Sequence, residues 1–179
     1  MLEITIWDVQ HGSATYIKTP NNRHIVVDLG DNGEEFSPLR TLYGRGVRQL
    51  DAVVITHPHR DHMDDIFNFQ WLAPQLLWTP RHLTEAVIRK GNRINDADVV
   101  TRYLEVRQQY SGALTLANDL TARTGFGGAT FQVFGPQLGD PGNLNNHSLV
   151  VVVSYAGLKT IVPRENLEMS ERMGVIFPS

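Results

Sequence analysis

The chain has 179 residues, a formal net charge of −3, and 41% hydrophobic against 20% charged residues. That is the size and balance of one domain with a real core; it excludes disorder, collagen-like repeats and a global basic field for gathering nucleic acid. There is no cysteine, so disulfides, thiolate zinc sites and a cysteine nucleophile are excluded as well.

Residues 2–9 read as a strand, with Leu2, Ile4 and Ile6 alternating with Glu3, Thr5 and Trp7. The first eight residues carry neither a basic nor an apolar leader segment, and no run approaches the ~18 apolar residues of a membrane span. A soluble cytoplasmic protein with no membrane contact is therefore the expectation. No pattern assigns an oligomeric state. Gln10-His11-Gly12-Ser13 is a tight connection, with Gly12 suited to positive φ. Strands over 14–19 and 24–29 flank the turn Pro20-Asn21-Asn22, and the second of them, richer in Val and Ile, reads as the more buried. A polar, glycine-rich loop, Asp28–Gly33, follows.

Ser37-Pro38 is a helix start, Ser at the N-cap and Pro at the first helical position. Asp51–Thr56 reads as a central strand, and directly behind it stands His57-Pro58-His59-Arg60-Asp61-His62. Three imidazoles and a carboxylate within six residues are transition-metal ligand types, and a loop between strand and helix holds them on rigid elements. The bland alternative is a polar loop of solvent-exposed histidines. Asp64 and Asp65 fall in the first turn of the next helix, the aromatics from Phe67 to Trp71 read as core, and Pro74 ends the helix. A strand at 75–79 follows, then a helix capped by Thr84 and a longer one from Asn95 or Asp96. Residues 111–128 read as loop with a short strand near 113–116, and Arg123–Gly128 as a flexible connection. Strands at 129–134, 148–155 and 158–162 close the pattern, the last two as a hairpin about Ala156-Gly157. Sheet layers covered by helices fit this order better than a doubly wound parallel fold.

His57 and His59, two residues apart, can reach one ion, and Asp61 and His62 its neighbour. Asp61 is also the candidate catalytic residue. Further ligands must come from elsewhere: His147, Glu165, His11 and His82, with Asp28 and Asp31. Each has a structural alternative. His147 can be a loop histidine, Glu165 a solvated acid, His11 a turn residue, His82 a residue at a helix start, and Asp28 an organiser of the Gly30 loop. No nucleophile elbow, phosphate loop or dinucleotide fingerprint is present.

Thr56–His62 resembles the signature of the metallo-beta-lactamase fold. Asp8–Ala14, Ile25–Gly30 and Asn145–Val150 narrow the resemblance to the hydrolase-like domain of ComEC competence proteins and their stand-alone bacterial relatives. The resemblance covers residues 1–165. It implies an α+β fold, a four-layer αββα sandwich, as one domain over 1–179 whose second half is incomplete. It implies two divalent ions, zinc or manganese, and a metal-bound hydroxide as nucleophile. His57 and His59 carry over as first-site ligands, Asp61 and His62 as second-site ligands, while His147 falls at a variable position of the family's Asn-Asn-x-Ser segment. Where the family has Gly-Asp, with a bridging Asp, this chain has Arg164-Glu165. The family also continues beyond the point where this chain stops, with a second-site histidine. Three functions are thereby expected. The first is a hydrolase of phosphodiester bonds in nucleic acid or a nucleotide. The second is a truncated, non-catalytic relative that holds one ion or needs a partner. The third is a hydrolase of a lactone, lactam or thioester.

Overall fold

The computed structural model describes residues 1–33, 36–72, 74–110, 123–135 and 143–162. Strands β1 (Glu3–Ile6), β2 (Thr15–Lys18), β3 (His24–Val27), β4 (Ala52–Val54) and β5 (Leu76–Trp78) form one sheet in chain order. β1, β2 and β3 pair antiparallel, whereas β3, β4 and β5 pair parallel. Parallel pairing requires crossovers. The first carries helix α1 (Pro38–Gly44); the second carries the histidine motif and a 3-10 segment, Asp64–Leu72. Helices α2 (Glu85–Gly91) and α3 (Ala97–Gln109) follow. β6 (Arg123–Phe126), β7 (Ala129–Phe134), β8 (Val150–Tyr155) and β9 (Leu158–Ile161) make a second, antiparallel sheet.

Side-chain alternation divides the interior into two cores. Ile17, Ile25, Val27 and Val54 of the first sheet meet Phe131, Val133, Val151 and Val153 of the second. On the other face of the first sheet, Val26 and Val53 pack with Leu39, Leu42, Ile66 and Tyr103 from the helical layer. β3 and β4 are thus buried on both sides, which explains their unbroken Val and Ile runs. This is the layered α+β arrangement expected from sequence; among the described residues the helices lie against the first sheet. No helix among them is long and apolar enough to cross a membrane.

The capping signals act as read. The Ser37 hydroxyl accepts from Arg40 N–H and that of Thr84 from Val87 N–H. Two expectations are corrected. Arg123–Phe126 is a strand, paired with β7 about Gly127-Gly128, whose φ values of +66° and +92° suit glycine in a tight reversal. Phe67 and Trp71 are not core, being 47% and 43% exposed. The 3-10 winding places every third residue on one face, so Ile66, Phe69 and Leu72 turn inward instead. The strand expected near 113–116 and the stretch 164–179 lie outside the described residues.

Asp65 ties the 3-10 segment to α1. Its buried carboxylate accepts from Ser37 Oγ (2.7 Å), Leu39 N (2.7 Å) and Asn68 Nδ2 (2.6 Å). Burial pushes its pKa up, and the donors from Asn68, Leu39 and Ser37 oppose that only in part. Between the ordinary aspartate value of about 4 and the raised native value, the folded chain holds a proton the unfolded chain has lost. Asp65 therefore contributes less stability as pH rises through that window, and a constant amount above it. Urea melts should show wild-type stability falling relative to Asp65→Asn across the window. A difference that stays constant with pH would contradict the raised carboxyl.

Candidate metal centre

The histidine motif is held by backbone contacts from four directions. Ile55 N–H donates to Trp78 O (2.8 Å), Leu149 N–H to Thr56 O (2.8 Å), Leu29 N–H to His62 O (2.9 Å) and Ser13 N–H to Asp61 O (3.4 Å). The last approach needs glycine. A Cβ at Gly12, where φ is +91°, would stand 1.9 Å from the Asp61 carbonyl oxygen, and one at Gly30 would stand 2.7 Å from it. Gly12 was legible as a turn glycine; its packing role against residue 61 was not.

Within this frame His57 and His62 are fully buried, while His59 and Asp61 are partly exposed. The His57 ring lies 4.0 Å from that of His62 and 4.9 Å from that of His59, centroid to centroid. His62 Nε2 is 3.9 Å from Asp61 Oδ2. His62 Nδ1 is 2.8 Å from Oδ2 of the buried Asp28, which also accepts from Thr56 N–H (2.7 Å) and the Thr56 hydroxyl (2.8 Å). Asp28 adopts φ +59°, an αL conformation that Asp tolerates. The sequence suggested a loop organiser at this position. The structure places Asp28 directly behind His62, where a carboxylate fixes the imidazole with its proton on Nδ1 and its lone pair on Nε2. A carboxylate ending a buried strand beside the motif strand was the available signal.

His147 is buried at the end of a 3-10 turn, Leu144–His147, two residues before the Leu149–Thr56 contact. Its Nδ1 is 2.8 Å from His82 Nε2. Burial lowers the His82 pKa, and neighbouring His147 and Arg107 lower it further. His11 and Asp31 line a cleft of about 770 Å³ together with His59, Arg60, Asp61 and Asp64. Burial raises the Asp31 pKa against the Gly33 N–H and Arg60, and raises that of Asp64 against its ion pair with Arg60. Glu165 lies outside the described residues.

The structure thus gathers His57, His59, Asp61, His62 and Asp28 in one place and pairs His147 with His82. Among the described residues, no group of three or more His, Asp or Glu side chains converges on a single ion position. The donor chemistry nonetheless fits a divalent ion. Imidazoles and a carboxylate adjoin a polar cleft, and one imidazole is oriented by a buried carboxylate as metal-binding histidines are.

A model of the metallo-beta-lactamase superfamily matches residues 7–162. The chain is 22% identical to ComE operon protein 3 of Bacillus subtilis (strain 168) over 201 aligned residues, covering 99% of this chain and 24% of that protein. It therefore spans about a quarter of that relative's length. The structure of CmlA, a diiron beta-hydroxylase from Streptomyces venezuelae, overlays with a TM-score of 0.49 at 16% identity, covering 89% of this chain and 29% of that one. A diphosphatase from the PhnP family overlays with a TM-score of 0.43 at 13% identity, covering 87% and 63%.

Asp28→Asn tests the orientation of His62. Asn keeps the αL backbone and an acceptor for Thr56, but its amide donates to His62 Nδ1 and drives the ring proton to Nε2. Metal affinity should fall about 10- to 100-fold with the fold intact, as when partners of metal-binding histidines are removed. Calorimetric titration with zinc checks this, and unchanged affinity would separate Asp28 from the metal chemistry.

Proposed function

The chain belongs to the metallo-beta-lactamase superfamily, and on that premise we propose that it is a metal-dependent hydrolase of phosphodiester bonds in nucleic acid or a nucleotide. One observation carries the reading: Asp28 locks His62 in the core, while His59 and Asp61 of the same motif open onto the cleft. His57 and His59, with His147, would hold a first ion, and Asp61 and His62 a second. Glu165 is the proposed bridging carboxylate. Zinc or manganese bound there supplies Lewis-acid stabilisation of charge and water activated at neutral pH.

The cleft supports the substrate class. Asp31, Asp61, Asp64 and Asp96 line it, with Arg60 and Arg93 as its cations. Such a wall repels a phosphate until divalent cations stand between them, and it offers little to a small apolar ester, lactone or lactam, which would favour an apolar pocket. Arg60 donates to Asp64 (2.7 Å) and Asp96 (3.2 Å), so it shapes the wall and is committed to it. Arg93 is the exposed cation left to meet substrate charge.

A second reading is favoured by the lack of three converging donors among the described residues. In it the chain holds one ion through His57 and His59, or is completed by a partner, and does not turn over. Elemental analysis after equilibration with zinc or manganese separates the two. Two ions per chain and hydrolysis of bis(p-nitrophenyl) phosphate are expected. One ion and no turnover would favour the second reading. His59→Ala should abolish first-site metal and all hydrolysis; unchanged metal content in that variant would remove the motif from the metal site.

A further inference from the structure

We propose that His82 is a positioning residue of the metal centre: it accepts a hydrogen bond from His147 Nδ1 and thereby directs the lone pair of His147 to Nε2 for the ion. The proposal rests on the reading above that His147 is a ligand. The two residues lie 65 positions apart and meet at 2.8 Å, with ring planes inclined by 50°. A hydrogen bond between two neutral imidazoles couples their tautomers, because one ring must donate and the other accept. A ligand that coordinates through Nε2 carries its proton on Nδ1, so His147 is the donor and His82 the acceptor. Carboxylates and carbonyls usually fill that place; here a second imidazole does, as Asp28 does for His62.

Both partners are held by contacts unrelated to the pair. The His147 turn is fixed by the Asn143 side chain on Asn145 N–H (3.0 Å), by Ser148 Oγ on Asn145 O (2.9 Å) and by the Leu149–Thr56 contact (2.8 Å). The loop carrying His82 is clamped from α3. The Arg107 guanidinium donates to the carbonyls of Arg81 (2.7 Å) and Leu83 (2.9 Å), the residues on either side of His82. Arg81 in return donates to the carbonyls of Arg107 and Tyr110. His82 is therefore delivered to His147 by a loop clamped to α3.

The test is cobalt(II) titration, followed by visible absorption, of the full chain and three variants. His82→Phe keeps an aromatic ring and removes the acceptor. His82→Gln restores an acceptor oxygen. His147→Ala removes the ligand. Affinity should fall about 10- to 100-fold in His82→Phe, fall at least as far in His147→Ala, and recover in His82→Gln. Wild-type affinity in His82→Phe, alongside a loss in His147→Ala, would overturn the positioning role alone. No loss in His147→Ala, or no cobalt bound by the wild type, would overturn the ligand reading and this inference with it. A measurement on the zinc-loaded wild type covers variants that fail to fold. Long-range 1H–15N spectra should show His147 protonated at Nδ1, with a scalar coupling across the hydrogen bond to His82 Nε2. A His147 protonated at Nε2 would overturn the proposal.

Discussion

A carboxylate buried without water must be matched by donors or it destabilises the fold by several kcal/mol. Asp28 is fully buried and so matched. Its donors are the backbone and hydroxyl of Thr56, at the end of the central strand, and His62, at the end of the motif. One side chain therefore joins the end of β3, the end of β4 and the site. It also explains a costly local choice, a non-glycine residue at φ +59°, at the position whose carboxylate meets Thr56 and His62. The same junction is closed from the other side by Gly12 and Gly30, which let two loops press against the Asp61 carbonyl. The motif is thus positioned by backbone packing, with His62 left to be oriented by Asp28 and, outside the motif, His147 by His82 as proposed.

The layered cores explain why this junction is rigid. β3 and β4 have apolar residues packed on both faces, so their ends cannot shift without disturbing both cores. The motif leaves β4 and returns through the 3-10 segment, whose inward face at Ile66, Phe69 and Leu72 is anchored under α1, with Asp65 bonded to Ser37 and Leu39. Parallel pairing of β4 with β5 obliges the chain to cross over at this point. Topology therefore puts the metal-binding residue types on the crossover that leaves the central strand β4 for β5.

What was legible in the sequence was local. Ser37-Pro38 and Thr84 cap helices because a hydroxyl beside a helix start has few other partners. The strands showed themselves by alternation, and the motif by ligand types in a six-residue run. What was hidden depended on winding or on distance along the chain. The 3-10 winding of 64–72 overrode the helical spacing that would have buried Phe67 and Trp71. Gly125 and the turn glycines Gly127-Gly128 masked a strand that exists through its pairing with β7. The partnership of Asp28 with His62 spans 34 residues and that of His82 with His147 spans 65, and no periodicity encodes either. The first of those contacts is the one that orients a histidine of the motif.

The placement of charge around the motif completes the argument. Its six residues include one permanent cation, Arg60, which beside Asp61 would compete with any metal ion for that carboxylate. The 3-10 turn Arg60–His62 resolves the conflict by pointing the two side chains to different partners. Arg60 bonds to Asp64 and Asp96 along the cleft wall, and Asp61 stays beside His62 Nε2. The cation is thereby paired with Asp64 and Asp96, and Asp61 keeps its place beside His62. A site built to attract a divalent ion needs that asymmetry. A salt-bridged surface loop would instead pair Arg60 with its neighbour in sequence.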